Sequence, residues 1–450
     1  MISKLQPQIR FLLALFTLSL FFAAALDAKE VELIVGDKKQ QKMRFGIDYE
    51  RLWFWSKSFD DEERALLAKW SVVDTGVDYI RVAINSAYEL KEGELDPTAY
   101  TKKIIPMMKE MKKANPDIKF FASPRPLNEV EKKAAWQPYP RWVTGDAKNN
   151  GSFDLDWQKC GEYFVRYFEL MREHGFKISF LDVTNEWQSV SEEKGRLTGK
   201  DVKKIKAYLQ SKLPADEMPL IVGPSSWNYQ QGGQWLRSLD SGAKKALDIA
   251  SSHNTDRTGS AVDFAKTSRK VLGRDAEIWN TELHGWKSTS KENEVTSFYY
   301  MLETIRAGFS GINGWLALGT PKQGHSYILN SKGAPVRNVK YFMFKKMSST
   351  SNYGHALNIV RKPSKLSHTA ALIKDDLMTV WVINQGSKDV PVKITAKGQR
   401  LAEGEITKTQ WIKAEDVEGE ETKLLAASSD SFSSVIPPKS VCCFEVPLKP

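Results

Sequence analysis

The chain is poor in cysteine, with 3 in 450 residues, too few for a disulfide framework to carry the fold. Cys442 and Cys443 are adjacent and badly placed to bridge each other, and Cys160 falls in a helical pattern that predicts a buried thiol. The fold must therefore be held by its core. Beyond the N-terminal segment no apolar run approaches the roughly 20 residues that a membrane helix needs. There is no glycine-rich phosphate loop and no Ser-His-Asp arrangement. No nucleic-acid-binding motif appears, so nucleic acid is not an expected partner. Asp48 and Glu50 could ligate a metal, but no histidine or cysteine spacing supports one; neither metal nor cofactor is expected. Internal repeats and long low-complexity linkers are also missing.

What is present begins with an export signal. Lys4 and Arg10 precede an apolar run, Phe11–Ala25, and Ala23-Ala24-Ala25 or Ala28 offers a small-residue cleavage site. Residues 1–28 are thus expected to be a signal peptide. The mature chain would be secreted or periplasmic and leave no membrane segment behind; an uncleaved anchor is the alternative. Net charge is +10. It is dispersed as lysine in helical stretches, which reads either as solvated helix faces or as attraction to a polyanionic polysaccharide. Hydrophobic content of 41% is ample for a large core, and 14 tryptophans are common where sugars stack on rings.

Strand-like and helix-like segments alternate eight times. Strand patterns at Arg44–Trp55 (a strand and its loop), Tyr79–Ile84, Ile118–Ala122, Ile178–Val183, Leu220–Gly223, Asp248–Ser252, Glu277–Thr281 and Gly311–Leu316 are each followed by a helical pattern. The class is α/β, a (β/α)8 TIM barrel over residues 40–352. After about Tyr353 the segments become short and β-like, separated by Gly, Ser, Asp and Pro, which predicts a C-terminal antiparallel β-sandwich over residues 353–450. The strand at 30–36 is a candidate to join it.

Two strands end in carboxylates. Ile178–Trp187, ISFLDVTNEW, closes on Asn185 and Glu186; Ala276–Trp286, AEIWNTELHGW, carries Glu282. In a parallel barrel the C-terminal strand ends form the active-site mouth, and strands four and seven lie nearly opposite. Two carboxylates there suit glycoside hydrolysis, one as acid and one as nucleophile or base. A helix N-terminus is the plain alternative for Asn185-Glu186.

The Asn185-Glu186 dyad on strand four with Glu282 on strand seven resembles clan A of the retaining glycoside hydrolases. Arg81 on strand two, His253 on strand six and Trp315 on strand eight also fit that clan. The barrel with its C-terminal sandwich, Ala122-Ser123-Pro124 after strand three, and Pro437-Pro438-Lys439-Ser440 near the end are similar to glycoside hydrolase family 30. Arg125-Pro126-Leu127 departs from the tryptophan and paired prolines usual there. Glu50-Arg51-Leu52-Trp53 looks more like the red-algal β-agarases and β-porphyranases. The resemblance implies Glu186 as acid/base, Glu282 as nucleophile, Asn185 on the sugar 2-hydroxyl and Trp315 as floor of the reacting subsite.

Arg81 would keep Glu282 ionised. Trp53, Trp55, Trp142, Trp187, Trp227, Tyr229 and Trp286 are candidate sugar platforms, and His284 would line the site. For each aromatic, ordinary packing is the competing reading. The expected activity is an exported, retaining, endo-acting β-glycoside hydrolase. Its substrate would be a polysaccharide such as a sulfated galactan or glucuronoxylan, and the enzyme a monomer. A non-catalytic carbohydrate-binding protein on a barrel scaffold and a polysaccharide lyase are the alternatives.

Overall fold

The computed structural model describes residues 30–449 except 53–58, 99, 126–138, 146–154, 187–196, 274–275, 286–294, 320–325, 332–333 and 363–367. The expected signal segment and Trp53, Trp55, Trp187 and Trp286 lie outside the described residues. After β1 (Val31–Lys42) come eight parallel strands: β2 (Arg44–Asp48), β3 (Tyr79–Asn85), β4 (Lys119–Arg125), β5 (Ile178–Asp182), β6 (Leu220–Ser226), β7 (Ile249–Ser252), β8 (Glu277–Leu283) and β9 (Gly311–Gly314). They pair in chain order and close on each other, β9 against β2. Each strand is followed by a helix: Asp61–Ala68, Ile105–Ala114, Trp157–Glu173, Gly199–Lys212, Tyr229–Arg237, Ala261–Leu272, Tyr299–Ala307 and Val339–Ser351.

Local chemistry marks many of these helix ends. Asp60 and Thr198 form capping boxes with Glu63 and Asp201, and Asp156, Asn228, Ser260 and Asn338 accept from first-turn amides. Gly273 and Gly308 close two helices in the left-handed conformation.

The barrel floor is filled by Tyr79, Phe121, Phe180, Val222, Ile249 and Trp279. The rings of Tyr79 and Trp279 stack 4.9 Å apart, 9° from parallel. Gly46 and Gly311 leave room for them: a Cβ at either would sit 2.1 Å from the Tyr79 ring or 2.2 Å from the Trp279 ring. Above this apolar layer the strands turn polar. Alternate residues point inward along a strand, so Gly46, Asp48 and Glu50 follow one another up β2 and its end. Tyr79 and Arg81 do so on β3, Phe121, Ser123 and Arg125 on β4, and Phe180 and Asp182 on β5.

A small three-stranded sheet, β10 (Leu318–Gly319), β11 (Ile328–Ser331) and β12 (Ala334–Arg337), follows β9. The C-terminal strands are β13 (His355–Lys362), β14 (His368–Lys374), β15 (Leu377–Asn384), β16 (Val390–Ala396), β17 (Glu405–Trp411), β18 (Glu420–Leu425), β19 (Ser431–Ile436) and β20 (Ser440–Pro447). With β1 they make one nine-stranded sheet, ordered β18-β17-β20-β15-β14-β13-β1-β16-β19, whose two edges come round to meet. Val31, Leu33, Val35, Val380, Ile394, Phe432 and Phe444 share the core that it encloses.

The sheet is not wholly antiparallel. Residues Val31–Val35 run parallel to Val392–Ala396, because β1 enters from before the barrel rather than by a hairpin. The outer face of β15, β17 and β20 carries Trp381, Trp411 and Cys443 into the barrel's own core. Cys442 faces the other way, so the adjacent thiols diverge; all three cysteines are free and buried.

Candidate active site

After β5 the chain turns sharply. Asp182 Oδ1 accepts from the amides of Thr184 and Asn185 at 3.0 and 3.1 Å. Asn185 and Glu186 then take positive φ angles of 24° and 61°, and the Glu186 amide donates to Ser225 O at 2.9 Å. Asparagine tolerates this region; glutamate rarely visits it, and such strain collects where a side chain must be aimed. Asn185 and Glu186 themselves form a turn and carry no helical backbone. On β8 the register slips between Asn280 and Leu283. Asn280 Oδ1 accepts from the Glu282 amide at 3.1 Å, which fixes the slipped segment.

These two devices bring the glutamates together. His253 Nδ1 lies 2.8 Å from Glu186 Oε1 and 3.6 Å from Glu282 Oε2, so one ring nitrogen bridges the pair. Carboxylate oxygens of Glu186 and Glu282 and a ring nitrogen of His253 all lie within 4.8 Å of one another. Both glutamates are buried, at 3% and 1% exposure.

The positive charge around Glu282 is denser than one arginine. Arg81 Nη1 donates to Glu282 Oε1 and, at 2.8 Å, to Asp48 Oδ2. Its other terminal nitrogen donates to Ser123 Oγ at 2.8 Å and Asn185 Oδ1 at 2.7 Å. Arg125 Nη2 reaches the same Glu282 oxygen at 2.8 Å, and Arg125 pairs in two places with Glu50. Burial pushes the Glu282 carboxyl up, but His253, Arg125 and Arg81 together outweigh it and hold the group well below the usual carboxylate range. Burial raises Asp48 to about 6 despite Arg81. Burial brings His284 down to about 4, against the pull of Glu282 3.5 Å away. Donor clusters Glu186-His253-Glu282 and Asp48-Glu50-Glu282 have the spacing that could hold a cation. Both share Glu282, which two guanidinium groups already engage.

Of the residues expected from sequence, Glu186, Glu282, Asn185, Arg81, His253, His284 and Trp315 converge. Asn185 Nδ2 donates to Pro124 O at 2.7 Å, so both ends of its amide are engaged. Trp315 stacks on His284 at 4.2 Å, and its Nε1 donates to Glu50 Oε1 at 3.2 Å. Trp227 is half-buried just beyond β6.

Two aromatics are placed elsewhere. Trp142, half-buried, donates from Nε1 to Glu89 O at 2.8 Å, meets Tyr163 edge-on and carries Arg166 over its ring. Tyr229 opens a helix and packs against Phe264 and Phe309 in the core; its hydroxyl accepts from Asn280 Nδ2 at 2.8 Å. It supports the site through Asn280 rather than offering a sugar platform.

Arg125, and the pairing of Glu50 with it, have no motif in the sequence to announce them. The inward alternation on β2 and β4 is the signal that points to both.

A closed parallel barrel with two facing glutamates at its mouth and a β-sheet domain built from both ends of the chain defines the class. Among solved structures the chain is similar to a GH30 endoxylanase from Clostridium papyrosolvens C71, with TM-score 0.67 and 15% identity over 93% of this chain and 100% of that one. It is similar to the catalytic domain of GH30 xylanase C from Talaromyces cellulolyticus, with TM-score 0.69 and 13% identity over 92% and 99%. The endo-β1,6-glucanase BT3312 matches with TM-score 0.64 and 16% identity over 93% and 94%. At these identities the likeness is one of fold: the chain has the architecture of glycoside hydrolase family 30, both domains included. No sequence-family profile and no curated protein sequence matches the chain. No helix among the described residues is long and apolar enough to cross a membrane.

Proposed function

We propose that the protein is an exported, retaining β-glycoside hydrolase that cuts a polysaccharide internally. The observation that carries this reading is the Glu186–Glu282 pair, both buried at the mouth of the barrel with one oxygen of each carboxylate within 4.8 Å of the other, an approach that favours the closer, retaining arrangement. A retaining pair stands about 5–5.5 Å apart; an inverting pair needs about 6.5–9.5 Å to admit a water. Glu282, held ionised by Arg81 and Arg125, attacks the anomeric carbon. Glu186 protonates the departing oxygen and then, as a base, activates the water that releases the sugar. Asn185 holds the 2-hydroxyl, and Trp315 with His284 forms the subsite floor. The similarity of fold to GH30 xylanases and to an endo-β1,6-glucanase supports the reaction class. The net charge of +10 favours an anionic polymer. Export is supported by the N-terminal sequence and by a structural neighbour described as a conserved exported protein from Bacteroides fragilis.

Reducing-end assays on agar, porphyran, carrageenan, glucuronoxylan and β-glucans will identify the polymer, and proton NMR of the first products reports the stereochemistry. The β-anomer should appear first. Initial release of the α-anomer from a β-linked polymer would overturn the assignment of Glu282 as nucleophile, and products absorbing in the ultraviolet through a new double bond would mark a lyase.

A further inference from the structure

We propose a second, non-catalytic binding site for an anionic sugar unit on the outer wall of the barrel. It lies between the helix Gly199–Lys212 and the short turn Ala243–Ala246 that precedes β7. A cavity of about 620 Å³ opens there, lined by Lys203, Lys206, Gln210, Ser241, Gly242 and Lys245 among others. That volume is within the range of about 300–1,000 Å³ that holds small ligands.

The cavity keeps an excess of positive charge for a structural reason. Asp248 takes Lys206 at 2.8 Å and also caps the Ile221 amide at 2.8 Å. Asp240 accepts from the Ala243 amide at 2.7 Å and shares its charge between Lys200 and Lys203, so it offsets Lys203 only in part. Lys203 and Lys245 are exposed, and neither makes a salt bridge or hydrogen bond to another described residue. Gly242 brings Lys203 Nζ close to the backbone at the rim: a Cβ there would lie 2.9 Å from it.

Two ammonium groups over a concave floor, with amide and hydroxyl donors from Gln210 and Ser241, suit a sulfate ester or a carboxylate on a sugar. The lining has no aromatic ring, so it lacks the stacking platform that single-stranded nucleic acid uses. The site sits toward the N-terminal ends of the strands, away from Glu186 and Glu282. A polymer long enough to span both gains affinity by being held twice, whereas a short substrate gains nothing. The inference rests on the polysaccharide reading for the identity of the polymer but not on the catalytic assignment.

The test uses the full chain carrying Glu282→Gln, so that no polymer is cut, with and without Lys203→Glu/Lys245→Glu. Binding is titrated at low salt to carrageenan, glucuronoxylan, agarose and single-stranded DNA, and thermal unfolding checks that the variants are folded. The double variant should bind carrageenan, glucuronoxylan or both about tenfold more weakly, and raised salt should weaken the parent in the same way. Lys203→Gln/Lys245→Gln should fall between the two. Which of the two anionic polymers responds tells sulfate from carboxylate. Unchanged affinity in both double variants, equal binding to agarose, or tighter binding to DNA than to either polymer would overturn the site. Turnover of short aryl β-glycosides by the chain with Glu282 intact is measured in parallel. No turnover alongside lysine-dependent binding sinks the hydrolase reading alone; normal turnover without lysine dependence sinks this site alone.

Discussion

Arg125 Nη2 stands 2.8 Å from Glu282 Oε1, the same oxygen that Arg81 holds. Two guanidinium groups on one buried carboxylate oxygen are more than a structural ion pair needs. They leave Oε2 facing His253 and His284, at 3.6 and 3.5 Å. Glu50, paired with Arg125 and accepting from Trp315, keeps the second guanidinium from collapsing fully onto Glu282.

Removing Arg125 should therefore change how Glu282 titrates. With one cation fewer, its carboxyl rises toward the ordinary range, and the proposed nucleophile becomes protonated at a higher pH. Arg125→Met should move the acid limb of the kcat/KM profile up by roughly one pH unit and lower kcat by about 10- to 100-fold. Arg125→Lys should restore part of the shift, since it returns the charge without the fork. An acid limb that does not move in Arg125→Met would mean that Arg81 and His253 suffice.

His284 gives a stability signature with a definite sign. Its folded value of about 4 lies below the ordinary 6.5, with burial the main cause. Between these values the unfolded chain binds a proton that the folded chain refuses, so the histidine costs stability as pH falls through that window. The full cost is roughly 3 kcal/mol below about pH 4. His284→Asn removes it. The variant should gain on the parent as pH drops from 6.5 to about 4, measured by denaturant unfolding at each pH; Asp48 contributes to both, and Glu282, which loses the His284 contact in the variant, titrates below that window. A difference that stays constant across that range would show that His284 is protonated in the folded protein.

Much of this architecture is legible in the sequence because barrel strands are covered on both faces. YIRVAI and ISFLD read as apolar runs bounded by turns, as parallel strands do, and the carboxylates stand out where the runs stop. The strand β18 gives no such signal, for the opposite reason. β18, EETKLL, is an edge strand and almost wholly exposed, so no buried face imposes a pattern on it. β13 alternates only between exposed and half-buried residues over its second half, so no fully buried face marks it.

Arg125 is visible in the sequence only as a departure after strand three. Its inward direction follows from register with Phe121 and Ser123, which needs the barrel to be known first. Tyr229 misleads because an aromatic letter does not say which side of a wall it faces. Tyr229 follows the helix cap Asn228, and the helix turns it into the core.

The two glutamates are separable by chemistry as well as by position. Replacing Glu282 with Ala should stop turnover, because no covalent intermediate can form. Azide added to that variant can enter the space left by the carboxylate and attack the anomeric carbon from the nucleophile's side, giving a glycosyl azide of inverted, α configuration. Glu186→Ala should behave differently. Substrates with good leaving groups need little protonation, so the first step survives and the glycosyl-enzyme accumulates. Azide then attacks that intermediate from the opposite face and gives the β product. His253 stays beside whichever carboxylate remains, 2.8 Å from Glu186 or 3.6 Å from Glu282, and the stereochemistry of rescue reports which of them is missing. Product configuration by proton NMR decides the matter. The reverse pattern would exchange the roles of the two residues, and failure of rescue in both, with the variants folded, would remove the pair from the chemistry altogether.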